Sequence, residues 1–322
     1  MGEGGVVLSF EVCDISGRVT QFRHPLRMSM VSSQDAPADS LTAVFGITGR
    51  VPVLSSIRVN LDGELLFFGY VDEQSESLTK NGRLLQIRAR SPEAVLLDNE
   101  ARPQQYFMPS MPLFMERHFE PLGFTGFIGS SQPFNGELSI SKGESEWQVL
   151  CSFCEKFLRV TPKIRENGII DVSGNDSGKT VIIGSSHDIL SVKYTLKRSR
   201  IISDIYARTY AKGGYEMHME STAAKSLGVK RTRYVNTLAS KTRSPSDTEK
   251  IIPHSEAAAY RCELTVSGSV PCSVGDEIIL EGKAQHMKVI EVHHTFSESG
   301  ERTRIFTEVT EHVDWQEYGK RQ

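Results

Sequence analysis

The sequence has no cysteine framework. Its five cysteines (Cys13, Cys151, Cys154, Cys262 and Cys272) are odd in number and scattered. This excludes a disulfide-stapled scaffold and predicts free thiols. No run approaches the roughly 20 apolar residues of a membrane helix. Hydrophobic residues make up 39% of the chain, enough for ordinary cores, and no stable membrane insertion is expected. Met1 to Asp14 shows neither the basic stretch nor the apolar segment of a signal peptide, which points to a product made in a cytoplasm.

Catalytic and cofactor signatures are also missing. Gly174-Asn-Asp-Ser-Gly-Lys-Thr180 looks like a phosphate loop but is one residue short between its glycines. The Val181-Ile182-Ile183 run after it reads as a strand, so a hairpin turn is the better reading. Cys151 and Cys154 have redox or zinc spacing but lack a second ligand pair, and both fall on the apolar stripe of one helix. His293 and His294 adjoin on a strand and point to opposite faces. His118, His254 and His286 have no spaced partners. There is no serine elbow, no His-Glu-x-x-His and no carboxylate pair, so no catalytic, cofactor-binding or metal-ligating residue is assigned and a non-enzymatic protein is expected.

The chain does offer length, pattern and an uneven charge. Its 322 residues suit two or three domains. The net charge is -3, yet residues 191–243 hold twelve Lys/Arg against three Asp/Glu. Such asymmetry marks a contact with nucleic acid or with an acidic protein surface. The segment has few aromatics to stack bases, which favours an acidic neighbour.

Residues 1–90 alternate as short strands. Val6, Leu8, Phe10 and Val12 share a face, as do Ile57, Val59 and Leu61. Asp62-Gly63 and Asn81-Gly82 are two-residue turn signals. A small barrel or sandwich follows from this density of turns.

Residues 91–185 read as an α+β module. A helix is predicted from Pro92 to about Asn99, capped by Ser91, and a second from Pro112 to His118. A third covers 145–158, with Ser141 and Glu144 as its capping box. A hairpin spans Arg159 to Val172. In 186–322 strands return, beginning with Ile189 to Tyr210. The basic segment at about 211–253 reads as an insertion or long loop, Ser255 to about Tyr260 as a short helix, and Leu264 to Val309 as strands.

An internal match links the two β regions. At a separation of 219 residues, Phe45–Pro52 aligns with Leu264–Pro271, Val59–Gly63 with Ile278–Gly282, and Tyr70–Asp72 with Val289–Glu291. After one deletion, Gly82 meets Gly300. Five of the 28 positions from Phe45 to Asp72 are identical. They fall at turn glycines, a strand-start proline and alternating core positions. The fold class is therefore mainly β with an α+β insert: two related small β-barrels around a middle domain.

Three stretches carry a resemblance. Arg88 to Pro103 resembles the junction after the first barrel of phage and prophage tail baseplate hub proteins. Ser141 to Phe157, with the Gly168 hairpin, resembles their middle domain. Ser273-Val-Gly-Asp276 and Val289 to Glu308 resemble the close of their second barrel. The resemblance to the phage Mu-like and late-control-type hubs covers most of the chain and is weakest from about 211 to 253.

It implies a homotrimer in the virion tail, with tube-like barrels that adapt a threefold spike or tail-tip protein to a sixfold tail tube. It further implies help in tube initiation and a channel for genome or tape-measure protein, with DNA passing unbound. The expected interface zone is basic: Lys193, Lys197, Arg198, Arg200, Arg208, Lys230, Arg231 and Arg233. Asp62, Asp72, Glu73 and Glu76 are expected to face the channel or the tube. The competing classes are an oligosaccharide- or nucleic-acid-binding barrel and a tail-associated cell-wall hydrolase.

Overall fold

The computed structural model describes residues 8–80, 82–165, 168–175, 178–209, 212–236, 245–282 and 286–309. The expected alternation in the first region produces seven strands. They are β1 (Leu8–Asp14), β2 (Val19–Arg23), β3 (Arg27–Ser33), β4 (Ser40–Ile47), β5 (Leu54–Leu61), β6 (Glu64–Thr79) and β7 (Gly82–Arg90). They pair antiparallel in the order β3-β4-β7-β6-β5-β1-β2. Asp62 and Gly63, both at positive φ, form the two-residue turn between β5 and β6, with Leu61 opposite Glu64. Asn81 lies outside the described residues, and Thr79 faces Gly82 across that hairpin. The sheet rolls up on itself. Phe22 of β2 and Phe45 of β4 stand five places apart in the strand order, yet their ring centroids are 4.9 Å apart. Phe10, Ile57, Val59, Leu85 and Ile87 fill the enclosed core.

The middle region has its own core of aromatic and aliphatic side chains, including Leu96, Phe114, Phe119, Leu150 and Phe153. Its helices are α1 (Val95–Asp98), α2 (Met111–Phe114) and α3 (Glu146–Phe153). Its strands are β8 (Gln104–Phe107), β9 (Gly126–Ile128), β10 (Glu137–Ile140), β11 (Lys163–Arg165) and β12 (Ile169–Asp171). The helical turns at 92–98 and 111–119 stand where their sequence signals lie, but two caps differ. The Ser91 hydroxyl accepts from the Asp39 N–H at 3.0 Å and does not cap a helix. The capping box before α3 is Ser145 with Gln148, not Ser141 with Glu144. Gly143 sits at φ +89, so the chain becomes helical only after it. Cys154 is buried and Cys151 half-buried, and burial pushes the Cys151 thiol up to about 11.

The third region holds β13 (Thr180–Ile183), β14 (Ile189–Leu196), β15 (Asp204–Thr209), β16 (Lys212–Glu220), β17 (Thr232–Asn236), β18 (Tyr260–Ser267), β19 (Glu277–Leu280), β20 (His286–Ser297) and β21 (Gly300–Val309). Its helices are α4 (Thr222–Ser226) and α5 (Pro245–Ala257). Of the expected hairpin turn, Asp176 and Ser177 lie outside the described residues; β13 after it pairs parallel with β19, and the Lys179 N–H donates to Asp276. The basic segment is not a long loop. β15 carries β16 on one edge and β17 on the other, over a small core of Ile205, Ala207, Val235 and Ile252. The helix expected near Ser255–Tyr260 is the end of the longer α5, and Tyr260 already belongs to β18.

The two β regions share one ladder. In the third region the order is β14-β18-β21-β20-β19, matching β3-β4-β7-β6-β5 of the first; the next strand differs, β13 running parallel to β19 where β1 runs antiparallel to β5. The long strands β6 and β20 each carry a bulge, between Val71 and Glu73 and between Val289 and Glu291. From there to the hairpin a constant separation of 218 residues holds, so Asp72 matches Ile290, not Glu291. Burial agrees: Tyr70 is 57% exposed, whereas Val289, its partner in the sequence alignment, is 0% exposed. Tracing the ladder outward, Phe45 faces Leu85 where Val266 faces Thr303. Ile57 faces Gly69 where Ile278 faces Met287. The copies are thus displaced by two residues from the alignment in β4 and β5. A two-residue slip keeps each side chain on its own face, so the hydrophobic pattern alone cannot detect it.

Candidate functional site

The two rolled sheets are joined by one seam. β20 pairs with β19 at its start and with β21 along its length. Beyond the bulge, Glu291–Ser297 pairs antiparallel with β3, placing Glu291 opposite Ser33 and Ser297 opposite Arg27. The seam makes thirteen strands one continuous sheet. His294 lies within it opposite Met30, and burial pushes its imidazole down to about 4.

The matching edges on the other side are open. Glu73–Thr79 of β6 pairs with β7 but, among the described residues, with no strand on its second edge. β14 matches β3 and, among the described residues, pairs with β18 only. An unpaired edge offers a row of backbone donors and acceptors to another strand. Both edges also expose apolar side chains: Leu78 is 77% exposed and Val192 37%. Their counterparts in the closed seam are Phe296 and Met28, which face each other, with Met28 buried.

The expected acidic residues do not form one surface. Asp62 occupies the β5–β6 turn. Asp72 meets Arg90 at 2.6 Å, Glu73 meets Arg88 at 3.0 Å, and Glu76 meets Arg83 at 3.2 Å. Glu73 and Glu76 are three residues apart on a strand and so point to opposite faces. Glu76 accepts from the Val51 N–H at 3.0 Å, and that bond, followed by Arg83, holds its carboxyl below the usual range.

The expected basic residues fall in two places. Lys193 lies on β14, 3.8 Å from Glu263, and Lys197, Arg198 and Arg200 follow that strand and are exposed. Arg208 lies on β15, and Lys230, Arg231 and Arg233 lie on or just before β17. The sequence therefore brought Lys193 and Lys197 to an open edge without showing why. The topology that makes the edge open, a seam between β3 and β20, leaves no local signal.

His118 does have partners. It is buried, with Nε2 2.9 Å from the Tyr106 hydroxyl and Nδ1 2.8 Å from Glu146. His286 Nδ1 lies 2.8 Å from Glu277. The partners of His118 come from β8 and α3, and that of His286 from the neighbouring strand β19. His293 and His294 diverge as expected, His294 being buried and His293 half-buried.

No protein-family model and no curated protein sequence matches the chain. Solved structures do. A tail protein of Neisseria meningitidis is 18% identical with a TM-score of 0.74, over 94% of this chain and 96% of that one. The 43 kDa tail protein of prophage MuSo2 from Shewanella oneidensis is 14% identical with a TM-score of 0.75, over 94% and 98%. A prophage tail protein of Listeria monocytogenes is 10% identical with a TM-score of 0.57, over 98% and 97%. The chain has the β-rich fold, with its helical insert, of these tail proteins.

Proposed function

We propose that this chain is a structural, non-enzymatic baseplate hub of a phage-type tail, and that three copies close into a ring through the open edges of β6 and β14. The observation that carries this reading is the closed β3–β20 seam inside the chain and its unfilled counterpart outside it. Repeating the seam between copies sets β14 of one chain on β6 of the next. If the internal register is repeated at the matched positions, Glu73 would stand opposite Lys197, Ser77 opposite Lys193, and Leu78 opposite Val192. The charges oppose and the apolar pair becomes covered, as cross-strand pairing favours.

The contact is head-to-tail, so it repeats around an axis rather than forming a two-fold dimer, and in this reading three copies complete the turn. With two similar units per chain, three chains give six units around one axis. Such a body offers a threefold face to a spike or tail-tip protein and a near-sixfold face to a tail tube. Its opening would pass genome or tape-measure protein without binding either. The site of action is the virion tail.

Mass photometry and negative-stain microscopy test the ring. The expected result is a particle three times the mass of one chain with six lobes in end view. Lys193→Glu with Lys197→Glu shifts it to monomer while changing the thermal melt of the monomer little, because the Lys193–Glu263 ion pair lost within the chain lies at the surface. A particle of any other mass, or a trimer indifferent to both charge reversals, contradicts the reading.

A further inference from the structure

The insertion sheet carries a second cluster that the ring contact does not use. Because Ile205, Ala207 and Val235 face its small core, their neighbours in sequence face outward. Asp204 stands directly opposite Glu220, and Tyr206 stands between His218 and Tyr234. The His218 ring stacks on Tyr206, with centroids 4.4 Å apart and planes 10° apart. Tyr206 in turn stacks on Tyr234 at 5.6 Å. This stacking sets the imidazole plane, so that Nε2 lies 2.9 Å from Asp204 Oδ1 and Nδ1 lies 4.0 Å from Glu220 Oε1. The second Asp204 oxygen accepts from the Ser203 hydroxyl at 2.6 Å, which holds the carboxylate in place. One donor atom from each of the three residues lies within 4.8 Å of the others. Donors around a tetrahedral zinc ion stand about 3.4 Å apart, given bonds of about 2.1 Å. Small side-chain rotations close that difference.

We propose that Asp204, His218 and Glu220 bind a first-row divalent cation of the zinc type. The donor set decides the class. Calcium and magnesium favour all-oxygen sites, whereas one imidazole nitrogen with two carboxylates suits zinc and its neighbours. The cluster already has partners: Lys225 bonds Glu220, and a hydrogen bond links His218 to Asp204. The ion takes over both roles. Three protein donors leave a coordination position for water or for a side chain of another molecule.

Isothermal titration of the tag-free full-length chain with zinc chloride tests the site. One saturable ion per chain is expected, with none for magnesium chloride at the same concentration. His218→Ala and Asp204→Asn each weaken zinc binding by more than about tenfold. Lys225→Gln, which removes the competing ammonium, strengthens it by about threefold. All three side chains are at least partly exposed, so far-UV circular dichroism should not change. Absence of saturable zinc binding, or zinc binding that survives both His218→Ala and Asp204→Asn, overturns the proposal.

Discussion

Strands β6 and β20 occupy the same place in the two halves of the molecule, carry the same bulge, and end by pairing Thr79 with Gly82 and Ser297 with Gly300, yet their surroundings differ. β20 is covered on both edges beyond the bulge, by β21 and by β3. β6 is covered there by β7 alone, among the described residues. Side chains follow the difference. The position held by buried His294 in the covered strand is Glu76 in the open one, paired with Arg83 and the Val51 N–H. The facing apolar pair Phe296–Met28 becomes exposed Leu78 and Val192. A duplicated fold that uses one seam internally and leaves its twin open has the means to assemble by repeating itself.

The comparison is sharpened first by the cores. Phe45, fully enclosed and packed edge-on against Phe10 at 5.1 Å, matches the smaller Val266. Phe45→Ala should cost about 3–5 kcal/mol in urea denaturation, and Val266→Ala about 1–3 kcal/mol. Equal losses would mean the two barrels are not packed alike.

Acid should act on the closed seam. The His294 imidazole, normally near 6.5, is pushed down to about 4, first by burial and then by the neighbouring His293. The unfolded chain therefore takes up a proton at His294 that the folded chain refuses. Stability is full above pH 6.5 and falls as the pH drops from 6.5 toward 4, by about 3 kcal/mol at the lower limit. His294→Gln should flatten that part of the pH profile of urea denaturation. An unchanged profile would place the acid sensitivity elsewhere.

Gly69 tests the open strand. A Cβ there would lie 2.4 Å from the Arg90 carbonyl oxygen and 2.7 Å from the Phe67 ring, whereas the matched position in β20 holds buried Met287. Gly69→Ala should cost about 1–3 kcal/mol in thermal or urea melts. A neutral result would show that the β6–β7 pairing is looser than its twin.

The smallest effect concerns the thiols. Burial pushes Cys272 up to about 12 and Cys151 up to about 11, so both stay protonated and slow to alkylate at pH 8. Half-buried Cys13 should label first with iodoacetamide, as read by peptide mass spectrometry.

Much of this architecture was legible in the sequence because strands, turns and caps are local. Asp62-Gly63 set a hairpin, the stripe from Trp147 to Leu158 set helical turns, and Gly82 with Gly300 marked matching hairpins, whereas the alignment of Gly49 with Gly268 and of Pro52 with Pro271 stands two residues out of register. The register was not legible. A slip of two residues keeps Phe45, Val59 and their copies facing inward, and only the bulges at Asp72 and Ile290 reveal it. The basic segment read as a loop because its strands bury just a few residues, Ile205, Ala207 and Val235 among them, on one face. Of the proposed interface, the charges at Lys193 and Lys197 were visible, Glu73 was expected on the channel or tube face instead, and the reason these residues stand at open edges lies in the pairing of β3 with β20, more than 250 residues apart in the chain.

Engineered disulfides test the repeated seam most directly. With Cys13 replaced by serine, Ser29→Cys with Thr295→Cys spans the closed seam, and Ser77→Cys with Lys193→Cys spans the open one. On oxidation the first pair should give a monomer on non-reducing gels, with its link inside the chain. The second should give dimers and a covalent trimer, joined only from position 77 of one copy to position 193 of the next. A trimer that forms in solution while the second pair stays unlinked would contradict the account.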